Sequence, residues 1–208
     1  MKQQKSSWLL NPFLRIAGAQ ALGIGLAAMA LTATLAYLGA IHLDGILDLH
    51  YCGEAHWSIY FWEGLINWGI MVVLLYLSGA VFSDSKIRLI DVLGTHALAR
   101  FPFLVMVGVA LLTASSTKQV TAYIMSTLHG AGELMAVSAG HWAVFILSTA
   151  VSLLTLVWAI IWMYRAYSVS CNLQGKKGII SFIAVLLISE VIAKLIYLYG
   201  FEICTPSL

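Results

Sequence analysis

Apolar residues in this chain gather into five long runs, at about 17–41, 59–82, 99–114, 141–164 and 179–199, and most charged positions fall between them. A helix rising about 1.5 Å per residue needs roughly 20 apolar residues to cross a hydrocarbon core. The pattern predicts an all-α polytopic membrane bundle of five spans, built as one domain over residues 1–208. The first run is longer than the apolar core of a signal peptide, and acidic residues follow it, so it reads as a retained span.

Local signals refine the elements. Asn11-Pro12 suits a helix start, since Asn can cap and Pro fits a first turn. Residues 6–16 are expected at the membrane interface ahead of the first span. Within that span Ala19, Gly23 and Ala27 recur every four residues, a small-residue row that predicts close packing against another helix, and Gln20 reads as packing glue. Trp57, Tyr60, Trp62 and Trp68 crowd one end of the second span, where aromatic side chains favour the membrane–water boundary.

The third element is irregular. Leu89, Ile90, Val92, Leu93 and Leu98 alternate with Asp91, Thr95 and His96, predicting an amphipathic entry over 87–98 at or just under the membrane surface. Pro102 predicts a break or kink, because it donates no backbone hydrogen bond. Residues 113–140 read as an outer connection containing a short amphipathic helix around Val120, Tyr123, Ile124 and Leu128. Asn172 to Gly178 reads as a tight turn before the last span.

Composition agrees with the membrane reading. Hydrophobic residues make up 61% and charged residues 10%, against about 45–50% and 25% in soluble domains. Charge adds the orientation. Lys2, Lys5 and Arg15 precede the first span; Lys86, Arg88 and Arg100 lie between the second and third; Arg165, Lys176 and Lys177 lie between the fourth and fifth. Of the 11 Lys and Arg only Lys118 and Lys194 fall elsewhere. Positive residues collect on the cytoplasmic side, which predicts a cytoplasmic N-terminus and an external C-terminus, in a cell membrane.

The third element, with Gly94 and then Pro102, and the last hairpin carry a family likeness. That hairpin reads Trp162-Met163-Tyr164-Arg165-Ala166-Tyr167, the turn from Asn172 to Gly178, then Ser181-Phe182-Ile183-Ala184. With five spans and a cytoplasmic N-terminus, the chain resembles the Yip-domain family, membrane proteins first named as interactors of Ypt/Rab GTPases. The short segment ahead of the first span resembles the bacterial members. The resemblance implies a five-span fold and a role among membrane proteins; it names no reaction.

Polar residues inside the spans are the first chemical candidates, because burying a charge costs several kcal/mol unless it is paired or hydrated. Glu190 and Lys194 sit four apart on the fifth span, as a self-neutralising pair or a gate. Glu63 has no cation at helical spacing, and Asn67 stands one turn on as its hydrogen-bond partner. On the outer side, His42, His50, Cys52 and His56 are donors of the kind that hold zinc or another borderline metal, although their spacing matches no established ligand motif. Cys52 and Cys204 fall on the outer side as a candidate disulfide, while Cys171 falls inside as a free thiol.

Phosphate-cradling loops, HExxH, GxSxG and CxxC are all missing from the sequence. The expectation is a non-enzymatic scaffold or adaptor for membrane proteins or lipids, with no cofactor, no nucleic-acid partner and scope for oligomers. The alternative is a small transporter, channel or lipid-moving protein using Glu63, Asn67, Glu190 and Lys194. A metal-dependent membrane enzyme comes third.

Overall fold

A computed structural model describes residues 9–128 and 137–200. The described helices are α1 (Gly18–Gly39), α2 (Trp57–Phe82), α3 (Leu89–Leu98), α4 (Phe101–Leu128), α5 (Ala139–Ser170) and α6 (Gly175–Gly200). Taking α3 and α4 together, five helical units are long and apolar enough to cross a membrane. Between α1 and α2, β1 (Ile41–His42) and β2 (His50–Tyr51) pair antiparallel, with Ile41 opposite Tyr51 and His42 opposite His50. The loop they enclose, residues 43–49, turns back toward the bundle. The small hairpin has no alternating run long enough to announce it in the sequence.

Helix α1 packs on α2, α3 and α4, α4 packs on α5, and α2 packs on α6. The predicted small-residue row does not make the α1 contact: Ala19, Gly23 and Ala27 are exposed. The neighbouring face, with Ala21, Gly25, Ala28, Ala33 and Ala36, is buried instead. The reason lies on α3. A Cβ on Gly25 would run into the backbone of Ala97 and Leu98, and a Cβ on Gly94 would run into the carbonyl oxygen of Gly18. Two glycines facing each other's helix bring these backbones together, and only one face of α1 offers the match.

That contact also corrects the placement of residues 87–98. Helix α3 buries Val92, Gly94, Thr95, His96, Ala97 and Leu98 inside the bundle. The Thr95 hydroxyl is absorbed locally, donating to the Asp91 carbonyl at 2.7 Å. Pro102 falls in the first turn of α4, where it starts a helix without interrupting one. Helix α4 then runs unbroken to Leu128, so the short helix expected within the 113–140 connection is continuous with the span before it. Within its hydroxyl-rich run side chains bond back one turn, Thr113 to the Val109 carbonyl and Thr127 to the Tyr123 carbonyl, both at 2.8 Å, which satisfies these hydroxyls inside the helix.

At the other end of the bundle, the indole N–H groups of Trp158 and Trp162 both donate to the Leu9 carbonyl, at 2.8 and 2.7 Å. Phe13 is buried edge-on against Trp162. The segment ahead of α1 is thereby fixed to α5. The turn before α6 forms as expected, with Asn172 and Gly175 both at positive φ. Tyr167 ties α5 to both neighbours, its hydroxyl lying 2.9 Å from that of Ser78 and 3.0 Å from that of Ser181. Of the aromatics in α2, Trp57 and Trp62 face outward. Tyr60 is buried, and the Trp68 indole donates to the Leu93 carbonyl at 3.3 Å.

Candidate functional site

The loop of residues 43–49 carries backbone amides into the apolar bundle, where each needs a partner. The bundle supplies them from three places. Glu63 on α2 accepts the Leu43 N–H at 2.9 Å. The Asn67 amide, one turn on, donates to the carbonyls of Leu43 and Gly45 at 2.6 and 2.9 Å. Arg100, between α3 and α4, donates to the carbonyls of Ile46 and Asn67 at 3.2 and 3.0 Å. Glu190 on α6 accepts the Leu47 N–H at 3.0 Å. Gly45 sits at the tightest point, since a Cβ there would meet the Glu190 carboxylate.

Lys194, one turn beyond Glu190, reaches the loop's own acids. Its ammonium pairs with Asp44 at 3.0 Å and also with Asp48. Glu190 and Lys194 therefore take separate partners on the loop and do not neutralise one another. Glu63 and Asn67 likewise bond to the loop and not to each other. All four sequence candidates converge on one structure, the chain's own connection between α1 and α2.

The most buried pair is His42–Glu63, with side chains 0% and 1% exposed and Nδ1 2.6 Å from Oε1. The other ring nitrogen, Nε2, lies 3.2 Å from the Gly53 carbonyl oxygen. That carbonyl only accepts, so Nε2 must carry hydrogen. Nδ1 and Oε1 then need a proton between them, on the ring or on the carboxyl. Either way the pair is neutral overall: an imidazolium with a carboxylate, or a neutral ring with a protonated acid. Tyr60 stacks on the His42 ring at 4.6 Å, and the Tyr197 hydroxyl donates to the Glu63 backbone carbonyl at 3.1 Å.

Around the loop four carboxylates (Asp44, Asp48, Glu63, Glu190) face two fixed cations (Arg100, Lys194), with His42 and His50 as the remaining sources of positive charge. His50 Nδ1 lies 3.3 Å from Asp44. That hydrogen bond raises the His50 pKa above its ordinary value against the opposing effect of burial. Burial pushes the Asp44 carboxyl up, but the bonds from His50 and Lys194 outweigh it and hold the group at about 2.

The pair is partly exposed, so its contribution to stability is of the small, solvent-screened kind, about 0–1 kcal/mol. His50's share is complete below pH about 6.5 and fades as pH rises through its raised value. Asp44's share is complete above pH about 4 and fades as pH falls toward its lowered value. An NMR titration of the His50 ring should therefore give a value above the ordinary one that falls back in Asp44→Asn. An unchanged midpoint would dissociate the two groups.

The predicted metal donors are dispersed. His42 faces Glu63, and His56 caps α2 by accepting the Ser58 N–H. Among the described residues the donors close enough to share an ion are Asp44, Asp48 and His50, and Lys194 already supplies positive charge there. Cys204 lies outside the described residues, so its expected pairing with Cys52 is not placed. Cys171 is free and buried, and burial pushes its thiol up to about 11, which leaves it unreactive.

Arg100 is the residue that sequence reasoning missed. Its position among juxtamembrane cations gave it a surface role, yet it is buried at the break between α3 and α4. The signal was Pro102, which marks the break that lets a guanidinium enter. A cavity of about 30 Å³ lies beside it, bordered by Thr32, Gly45, Tyr60 and Asn67. That is room for one water-sized molecule. No family model, curated protein or solved structure matches this chain.

Proposed function

We propose that this chain is a non-enzymatic integral membrane scaffold or adaptor of Yip type, binding other membrane proteins or lipids. One observation carries the reading. The intramembrane polar residues that a transporter would offer a solute are engaged with the chain's own 43–49 loop. The cavity beside them, about 30 Å³, is too small for an organic solute. The orientation proposed with it, N-terminus in the cytoplasm and C-terminus outside a bacterial inner membrane, rests on the clustered Lys and Arg. A cysteine replacing Lys86 should resist a membrane-impermeant maleimide added to intact cells; labelling from outside would reverse the topology. The Cys52–Cys204 disulfide belongs to the same proposal, and two free thiols in native protein would remove it.

Native mass spectrometry of protein extracted gently from its own membrane tests the scaffold reading. A stoichiometric protein partner or retained lipid is the expected result; a chain that carries neither would defeat it. A second reading, a proton-coupled carrier, is favoured by the proton held between His42 and Glu63. It requires a proton flux in sealed vesicles that Glu63→Gln abolishes.

A further inference from the structure

Beside β2 and between α4 and α5 lies a groove of about 600 Å³ that borders the loop cluster at Leu49 and His50. One wall is α4, which presents Thr113, Thr117 and Thr121, spaced four apart and so stacked along one face. Ser148 and Ser152 of α5 face them with the same spacing. Methyl and methylene groups line most of the remainder, from Leu49, Ala110, Ala122 and Met125.

Lys118 is set at this groove with its ammonium over the Tyr51 ring, 5.5 Å from the centroid. Tyr51 is itself held, its hydroxyl donating to the Ala110 carbonyl at 2.5 Å. Lys118 has no carboxylate within 4.0 Å among the described residues. Of the two cations outside the juxtamembrane groups, Lys194 is neutralised by two acids and Lys118, among the described residues, by none. Thr117 and Thr121, neighbours of Lys118 on α4, add hydroxyls beside the unbalanced charge.

We propose that this groove binds one anionic glycerophospholipid of the external leaflet, with the phosphate at Lys118 and the Thr117–Thr121 hydroxyls and the upper acyl chain along the apolar wall. An apolar trough, hydroxyl groups and one uncompensated cation together match an amphiphile with an anionic head. The assignment deepens the lipid-binding half of the proposed function and uses its topology, but needs no protein partner.

The test uses the full chain in nanodiscs of phosphatidylcholine with phosphatidylglycerol at 4:1, one lipid at a time carrying a photoactivatable acyl chain. Adduct sites are mapped by peptide mass spectrometry. The expected result is labelling within residues 113–125 and 148–152, stronger for phosphatidylglycerol. Lys118→Gln should reduce that excess about fivefold, the weight of one lysine near an anionic surface, and leave phosphatidylcholine labelling unchanged. Thr121→Leu, which fills the groove from an exposed helix position, should reduce both. Equal labelling by the two lipids, or a phosphatidylglycerol preference that survives Lys118→Gln, overturns the site. So does cross-linking of these residues to a second copy of the chain or to its own 129–136 segment in place of lipid. Loss of a protein partner in the native extraction would leave these readouts untouched, so the two readings fail separately.

Discussion

Glu63→Leu is expected to lower the stability of the folded bundle by about 3–5 kcal/mol, the range for removing one member of a buried ionic pair. The loss has two parts. The His42 ring, 0% exposed, is left with Nδ1 unpartnered, either as an N–H of an imidazolium with no acceptor or as a lone pair with no donor, and the Leu43 N–H loses its acceptor as well. Each orphaned group costs its full desolvation in an apolar interior. Glu63→Gln keeps one acceptor oxygen and should cost less. The combined His42→Leu and Glu63→Leu change should cost less than the sum of the two single changes, since each removes the other's stranded partner. Equilibrium unfolding in mixed micelles, followed by tryptophan fluorescence, measures all of these. A Glu63→Leu protein within about 1 kcal/mol of the parent, the centre of ordinary substitutions, would show that this pair does not seat the loop.

The second large effect is a contrast between two glycines of α1 two residues apart. Gly25→Ala should destabilise by about 1–3 kcal/mol, the usual cost of forcing extra volume into a packed contact. The obstacle is the α3 backbone at Ala97 and Leu98, which cannot rotate away as a side chain could. Gly94→Ala should behave alike, against the Gly18 carbonyl oxygen. Gly23→Ala should instead gain about 0.5–1 kcal/mol, because alanine is the better helix former and nothing lies within 4 Å of its added carbon. Equal responses at 23 and 25 would mean that α1 does not present this face to α3. Folded fraction against denaturant for the two variants decides it.

These residues also show where the sequence was readable. Five apolar runs could be seen because hydrocarbon thickness imposes a length on any crossing helix, although the third, expected over 99–114, belongs to a helical unit spanning Leu89–Leu128. The face of α1 could not. Its small residues form adjacent rows, and choosing between them required knowing that Gly94 and Ala97 stand opposite. The functional candidates on α2 and α6 were legible as charges too costly to leave unpartnered. Their partners were not, because they lie on a loop far away in sequence: Leu43 for Glu63, Leu47 for Glu190, Asp44 and Asp48 for Lys194. Helical spacing nominates neighbours at three and four residues, and so it offered Asn67 to Glu63 and Lys194 to Glu190. Arg100 was misplaced for a related reason, since counting charges between runs assigns a side of the membrane and says nothing about depth.

The loop's dependence on distant helices has a consequence for how the chain is made. The amides and acids of residues 43–49 are synthesised early, directly after α1. Their partners emerge in order: Glu63 and Asn67 with α2, Arg100 only at the α3–α4 junction, and Glu190 and Lys194 last of all. Asp48 waits 146 residues for the lysine that neutralises it. Until α6 arrives, the Leu47 N–H and the two loop acids therefore lack the partners they have in the folded bundle. A chain halted before α6 would insert its earlier helices with this connection still open. Helix α6 is thus the element that closes the connection between α1 and α2, which makes its arrival a condition for the native arrangement of that loop.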